Sequence, residues 1–374
     1  MTGALEGLLV VALEQAVAAP LCTRQLADGG ARVIKLERAG GETARHYDSA
    51  VGGASAYFAW LNRGKESVVV DVKASADRAM IERMVGRADV FIQNLAPGAA
   101  ARLGLDAAAL VARHPRLIAL DICGYGQSTD ARDMRAYDML VQAEAGICAV
   151  TGTPEAMAKV GVSIADLATG MNAHAAILEA LIGRGRTGRG AAIEMAMFDA
   201  MADWMAVPLL HLEHAGRVTG RHGLEHAAIY PYAAYACRDG ALMIAIQSPD
   251  EWQRFCAGVL GDAALAHDPR FATNPDRVAN REALGQIVGA AFAGLLVAEA
   301  SGLLDRHRIA WGRVSQVADL AAHAALRRVP AEVHAAAFTL PRPAGRSGAL
   351  PTVVPSLDAD GPALRREFGP AAAD

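Results

Sequence analysis

Short runs of unbroken apolar sequence, each followed by a longer segment of helical pattern, organise the first third of this chain. LLVVAL (8–13), RVIKLE (32–37), SVVVDV (67–72), DVFIQN (89–94) and LIALDI (117–122) recur at spacings of roughly 20 to 30 residues. Runs this short and this apolar fit strands buried on both faces, which occur where helices cover both sides of a parallel sheet. The intervening segments supply such helices. APLCTRQLADGG (19–30) ends on a glycine pair suited to a C-cap, and SADRAMIERMVGRA (75–88) is a credible crossover helix. The pattern predicts a doubly wound α/β domain.

From Ser163 the pattern changes. IADLATGMNAHAAILEALIGRGRTG has apolar residues at helical spacing, then a Gly–Arg-rich stop. AAIEMAMFDAMADWMAVPLL (191–210) begins as a sixth strand and continues as a helix. Scattered Gly, His and Pro over 212–232 read as a linker. YPYAAYAC, the turn Arg238-Asp239-Gly240 and ALMIAI then open a second unit, which helices such as DEWQRFCAGVL (250–260) and REALGQIVGAAFAGLL (281–296) complete. The tail from about 339, rich in Pro, Gly and Ala, is expected to run extended over a neighbouring surface. No internal repeat is visible.

The length of 374 residues, 53% of them hydrophobic, suggests two domains and a large core. A formal net charge of −4, with no basic run longer than two residues, leaves no electrostatic footprint for nucleic acid or a membrane surface. Five cysteines without CxxC spacing (Cys22, Cys123, Cys148, Cys237, Cys256) fit free thiols in a reducing compartment. The apolar run 8–20 superficially resembles a signal peptide, but it contains Glu14, follows Glu6 and has no positive residue before Arg24. No stretch approaches the ~18 charge-free apolar residues of a membrane helix. A cytoplasmic protein is expected.

Two motifs weaken on inspection. Gly183-Arg184-Gly185-Arg186-Thr187-Gly188 matches GxGxxG but follows a helix and precedes a strand, the reverse of a phosphate-cradling loop, so it reads as a helix stop. His211 and His214 flank Glu213 with no third ligand at zinc spacing, and no metal site is expected. The segment KVGVSIADLATGMNAHAAILEAL is more informative. Asp166 falls at a helix start, where free amides and the macrodipole favour a carboxylate. A simple N-cap would look the same. Yet its neighbours Gly161, Ser163, Ala165, Ala168 and Gly170 are small enough to admit a substrate, and a polar cluster, Arg135-Ala136-Tyr137-Asp138, lies upstream.

With these segments in view, the chain resembles the class III CoA-transferases, the CaiB/BaiF family, over nearly its whole length. The landmarks occur in the family's order: LEGLLVVALEQAVAAPLCTRQLADGGARVIKLER, NRGKESVVVDVK, NLAPGAAARLG, GYG, RAYDMLVQAEAGICAVTG, GVSIADLATGM and TGRGAAIEMAMFDA. The resemblance implies a large domain with a Rossmann-like sheet over 1–211, a smaller α+β domain with its linkers over 212–325, and a return to the first domain over 326–374. It also implies an interlocked homodimer in which two ring-like chains pass through one another. The catalytic aspartate of the family falls on Asp166. By the same matching, Arg38, Val72, Lys73, Asn94, Leu95, Arg102, Arg135 and Tyr137 fall where relatives contact CoA, and Met197 lines the site. Coenzyme A is then a co-substrate, acyl-CoA and small carboxylic acids are the partners, and no permanently bound cofactor is implied.

The chemistry that the resemblance implies is covalent: a carboxylate attacks a thioester, a mixed anhydride forms, and an aspartyl-CoA thioester carries CoA to the acceptor. The nucleophile is expected to stay ionised at its helix N-terminus. An α-methylacyl-CoA racemase shares the fold but needs opposed acid–base groups. Racemases of this kind carry a histidine just before the aspartate of the upstream cluster and GDFGGG-like glycines around the catalytic aspartate. This chain has Tyr137 and ADLATG there, and a tyrosine with pKa of about 10 is a poor base. A CoA-binding scaffold without activity is a further alternative, and retention of Asp166 argues against it. In relatives acting on oxalate a glutamine stands at the position of Val17 and a glycine-rich loop follows later, and this chain has no such run of glycines over 212–265, so oxalate is disfavoured. The chain more closely resembles relatives handling C4–C5 dicarboxylates of the mesaconate, itaconate, citramalate or malate type, with succinyl-CoA as a donor. Transfer within one mesaconyl-CoA molecule stays open. The pocket expected for the acceptor includes Val17, Ala18 and Met197, with Gln15, Arg45, His46 or His226 as anchors for a second carboxylate.

Overall fold

The computed structural model describes residues 3–369. Strands β1 (Leu9–Leu13), β2 (Arg32–Glu37), β3 (Lys65–Val69), β4 (Val90–Gln93), β5 (Ile118–Cys123) and β6 (Ala191–Ala196) form one parallel sheet in the order β3-β2-β1-β4-β5-β6. Alternate residues of each strand enter different cores, which is why the runs read as continuously apolar. Val10, Val33, Val90, Ile92, Ile118 and Leu120 belong to one core with residues of helices Ala18–Asp28, Ile164–Thr187 and Met197–Trp204. Val11, Ile34, Leu36, Val68, Phe91 and Ala119 belong to another, with Met80, Ile81 and Met84 of helix Ser75–Arg87 and Leu110 of helix Ala107–Arg113. Each fully buried Val or Leu side chain contributes roughly 1.5–3 kcal/mol.

Three expectations need correction. The third strand starts at Lys65 rather than 67 and ends at Val69, because Lys65 and Ser67 find buried partners in Glu14 and Glu37 that a hydropathy pattern cannot reveal. The long helix does not stop at Gly183. It continues to Thr187 and closes on Gly188 in the left-handed conformation at φ 71°, where a glycine carries no Cβ penalty. The tail is not simply extended. β10 (Arg328–Val333) pairs with β11 (Ala336–Pro341) as a hairpin, and helix Gly361–Phe368 starts with a proline in its first turn and buries Leu364 and Phe368, one turn apart, in the core of Met80 and Met84. Residues 370–374 of the expected tail lie outside the described residues.

A separate antiparallel sheet consists of β7 (Tyr232–Cys237), β8 (Gly240–Ala245) and β9 (Ala310–Arg313). Trp252, Phe255, Phe271, Leu284, Val288 and Phe292 form its core. The helix expected over 250–260 is α-helical from Pro249 to Arg254, with a Ser248–Glu251 capping box, and then widens into a π-helical turn, Phe255–Val259. The 212–232 stretch is helical to Ala215, and beyond that Arg221 hydrogen-bonds the Thr153 and Pro154 carbonyls. The chain divides into two compact units. One contains the described residues to Ile147, then Lys159–Leu209 and the chain from Arg327; the other contains Cys148–Ala158 and Leu210–Leu326. Among the described residues, no single helix is long and apolar enough to cross a membrane.

Candidate active site

Strand order reverses between β1 and β4, so the connections leaving their carboxyl ends diverge and leave a crevice, the usual ligand position in a sheet of this kind. The chain leaving β1 is held by side chains from elsewhere. Gln15 N donates to Asn94 Oδ1 at 2.9 Å, and Asn94 Nδ2 donates back to Gln15 O at 2.8 Å. Ala16 is left-handed at φ 62°, and its N–H donates to Glu42 Oε2 at 2.6 Å. Helix Ala18–Asp28 begins immediately afterwards, with no side-chain cap from Val17. Its first amides are therefore directed at whatever lies in front of them.

What lies there is Asp166. The start of helix Ile164–Thr187 is capped not by its preceding residue Ser163 but by Asp138, whose Oδ1 accepts from Ala165 N at 2.8 Å and Asp166 N at 3.2 Å. Asp138 Oδ2 accepts from Gln142 Nε2 at 2.7 Å, and Gln142 Oε1 accepts from Val160 N at 2.9 Å. With its own amide satisfied by Asp138, the Asp166 carboxylate comes under the influence of the Ala18 N–H, which favours its charged form. Gly170, one turn later, makes that approach possible: a Cβ there would lie 2.6 Å from Ala18 O and 3.0 Å from Leu21 Cβ. Burial, and then the charge of Asp138, raise the Asp166 carboxyl to about 7, against the lowering effect of the Ala18 amide. This corrects the expectation that the helix N-terminus keeps it fully ionised: desolvation and a like charge outweigh the amide dipoles.

Behind the β1 turn lies a buried ion cluster. Glu14 Oε1 accepts from Lys35 Nζ at 3.2 Å and Lys65 Nζ at 2.7 Å, and Glu14 Oε2 from Thr23 Oγ1 at 2.7 Å. Lys35 Nζ also meets Glu42 Oε1 at 2.6 Å. Burial alone would raise the Glu14 carboxyl, but the two ammonium groups outweigh it and bring it down to about 2. Burial lowers Lys65 to about 8 despite Glu14.

The expected site residues separate into groups. Arg38, Lys73 and Arg102 are exposed and follow β2, β3 and β4 respectively, a cationic rim on the carboxyl edge of the sheet; Arg38 Nε donates to Gly41 O at 2.9 Å. Val72 is half-buried beside the core of that edge. Leu95 N donates to Gln93 Oε1 at 2.7 Å, and Gln93 in turn donates to buried Asp121 at 2.9 Å, which holds the loop after β4. Arg135 and Tyr137 are exposed just before Asp138. Ala18 and Met197 are buried in the core shared with the Asp166 helix. Val17 packs with Leu21, Leu61, Trp60 and Leu167.

The proposed anchors fare less evenly. Arg45 donates Nε and Nη2 to Glu37 at 2.7 and 2.6 Å and Nη1 to Pro355 O at 3.3 Å, with its guanidinium 3.7 Å over the Phe58 ring. All its nitrogens are thus engaged within the protein, so it does not serve as a free anchor for a second carboxylate. His46 is exposed, with Nε2 3.0 Å from Gly40 O. Gln15 is half-buried at the clamp described above. His226 belongs to the second unit, where it stacks on Tyr232. Sequence reasoning missed Glu14, Lys35, Glu42 and Lys65, although a lysine inside RVIKLE and a glutamate abutting LLVVAL were signals, since charges in such strands require partners. Among the described residues, no group of three or more His, Cys, Asp or Glu is arranged to hold a metal ion.

The profile of CoA-transferase family III matches residues 5–354. The chain is 35% identical to the acetyl-CoA:oxalate CoA-transferase of Acetobacter aceti, over 98% of this chain and 96% of that one. It is 37% identical to the succinate–glutarate CoA-transferase of Agrobacterium fabrum, over 76% and 73%. Among solved structures, a CAIB/BAIF family protein from Brucella suis superposes with a TM-score of 0.83 at 32% identity, covering 98% of this chain and all (100%) of that one.

Proposed function

This chain belongs to CoA-transferase family III, and from that premise we propose that Asp166 carries CoA from an acyl-CoA to a small dicarboxylate. The observation that carries the reading is the Asp166 carboxylate meeting the Ala18 amide in the crevice at the sheet's switch point.

An Asp166 carboxylate oxygen attacks the thioester carbonyl; the C–S bond breaks and its electron pair leaves with the CoA thiolate, giving a mixed anhydride. The thiolate attacks the aspartyl carbonyl carbon of that anhydride and expels the donor as a free carboxylate, leaving an aspartyl-CoA thioester. The acceptor carboxylate attacks this thioester, CoA thiolate departs again, and its attack on the acceptor's acyl carbon releases the new acyl-CoA and Asp166. No net proton is consumed. The amides opening helix Ala18–Asp28 are positioned for the negative charge that develops, and one such donor is worth on the order of 10²–10³ in rate. The raised carboxyl of Asp166 makes its ionised form a stronger nucleophile toward the thioester. Arg38, Lys73 and Arg102 supply cations for the phosphates of CoA.

The acceptor is a C4–C5 dicarboxylate. The glutarate-acting relative supports this, as does the apolar packing of Val17, which presents no hydrogen-bonding group at that position. The enzyme works as a homodimer. Helix Ala206–Ala215 supports this, because it has no buried residue while Val207, Leu209, Leu210 and Leu212 are each about half exposed or more, a face that calls for cover. Incubation with succinyl-CoA or acetyl-CoA, followed by mass spectrometry of the Asp166 peptide, tests the mechanism: a CoA or acyl adduct at Asp166 is expected, and its absence from a protein that turns over would overturn it. The same donors against oxalate, succinate, glutarate, mesaconate, itaconate, citramalate and malate identify the acceptor, and light scattering in solution reads the dimer.

A further inference from the structure

The backbone that meets Asp166 is held in an unfavourable conformation by a side chain far from the reacting atoms. Ala16 has φ 62°, which a residue with a Cβ adopts reluctantly, and it lies two residues before the Ala18 N–H that faces the carboxylate. Its amide, in this half-buried turn, has Glu42 Oε2 as its partner at 2.6 Å. The other oxygen of Glu42 is engaged by Lys35 Nζ at 2.6 Å. Glu42 is 5% exposed and Lys35 0%, and Lys35 is shared with Glu14, the residue that opens this same turn. Glu42 thus joins the strained turn to an ion cluster that cannot readily move.

We propose that Glu42 is a positioning residue for acyl transfer: by holding Ala16 in its left-handed conformation it directs the first amides of helix Ala18–Asp28 at Asp166. The inference rests on the reading of Asp166 as the nucleophile. It requires both carboxylate oxygens, because two donors, Ala16 N–H and the Lys35 ammonium, approach from different sides. A glutamine has one acceptor oxygen and an NH₂ group, so it can satisfy only one of them at unchanged volume. An aspartate keeps the charge but is one methylene too short to span both.

The test measures the rate at which succinyl-CoA or acetyl-CoA, whichever acylates the wild-type enzyme, forms the Asp166 adduct. Glu42→Gln is expected to slow that step about 10- to 100-fold while KM for the donor stays within about threefold, since an amide donor is misaimed and the CoA-binding groups are untouched. Because glycine carries no penalty at positive φ, the Glu42→Gln deficit is expected to shrink about five- to tenfold when measured in an Ala16→Gly background. A purely structural role would not produce that coupling. If Glu42→Gln does not fold, Glu42→Asp carries the same comparison. Wild-type rates in Glu42→Gln and Glu42→Asp, a loss confined to KM, or an equal deficit with alanine and glycine at position 16 would overturn the proposal. Asp166→Asn separates the two layers: full activity there sinks the nucleophile itself, whereas an inactive Asp166→Asn beside a fully active Glu42→Gln sinks only the role of Glu42.

Discussion

Asp138 holds Asp166 and perturbs it at the same time. Through Oδ1 it accepts the amides of Ala165 and Asp166 and so fixes the helix start, and its charge adds to the burial that raises the Asp166 carboxyl to about 7. Positioning and tuning come from one side chain.

The first consequence is a pH profile. Only ionised Asp166 attacks a thioester, so kcat/KM should fall on the acid side of a midpoint near 7. In Asp138→Asn the amide oxygen still accepts from Ala165 N and Asp166 N while the like charge is gone, so the midpoint should move to lower pH. A midpoint that stays in place would assign the raised carboxyl to burial alone.

Asp166→Asn should abolish transfer, by roughly 10³-fold or more, and stabilise the fold. The sign follows from linkage: a carboxyl raised in the folded state binds a proton that the unfolded chain releases, so its ionisation costs stability as pH rises from the ordinary aspartate range through about 7. The variant should match wild type near pH 3, below the ordinary aspartate value, and exceed it at pH 8 by on the order of 3–4 kcal/mol. Chemical denaturation at the two pH values reads the difference.

Gly170→Ala should damage both fold and activity. Its Cβ would fall 2.6 Å from the Ala18 carbonyl, a backbone atom that moves only if the two helices separate. A loss of roughly 1–3 kcal/mol is expected, with slowed adduct formation because Ala18 N–H retreats from Asp166. Normal acylation in this variant would argue against the close crossing as the device that joins the two groups.

Glu14→Gln should be among the most destabilising single changes, by about 3–5 kcal/mol, because it leaves Lys35 and Lys65 without their shared carboxylate in a dry interior. Since the Glu14 carboxyl is depressed to about 2, its contribution is complete above the ordinary glutamate value of 4.5 and is lost as pH falls toward 2. The acid limb of wild-type unfolding should therefore flatten in the variant.

Replacing Arg38, Lys73 or Arg102 singly by alanine should raise KM for acyl-CoA about three- to tenfold at low salt with kcat preserved, and the effect should shrink as salt rises. Arg45→Ala should behave differently. It unpairs buried Glu37 and lowers stability without a selective rise in KM for the acceptor.

Much of this protein follows from local sequence. Strands of near-continuous hydrophobicity can be accommodated only where both faces are covered, so a parallel, doubly wound sheet was legible from RVIKLE and its companions, and Asp166 was legible as a carboxylate at a helix start. Tertiary structure decided what that carboxylate is. Its raised pKa depends on burial and on Asp138, 28 residues away in the chain, and the close crossing at Gly170 brings the opposing Ala18 amide to it. It likewise decided that Arg45 serves Glu37 and that Asn94 and Glu42 clamp the turn at Gln15 and Ala16, partners separated by 79 and 26 residues respectively. Periodicity reports which side of an element faces a core. It carries no information about which distant charge shares that core, and burial makes such pairings decisive because water is not there to screen them.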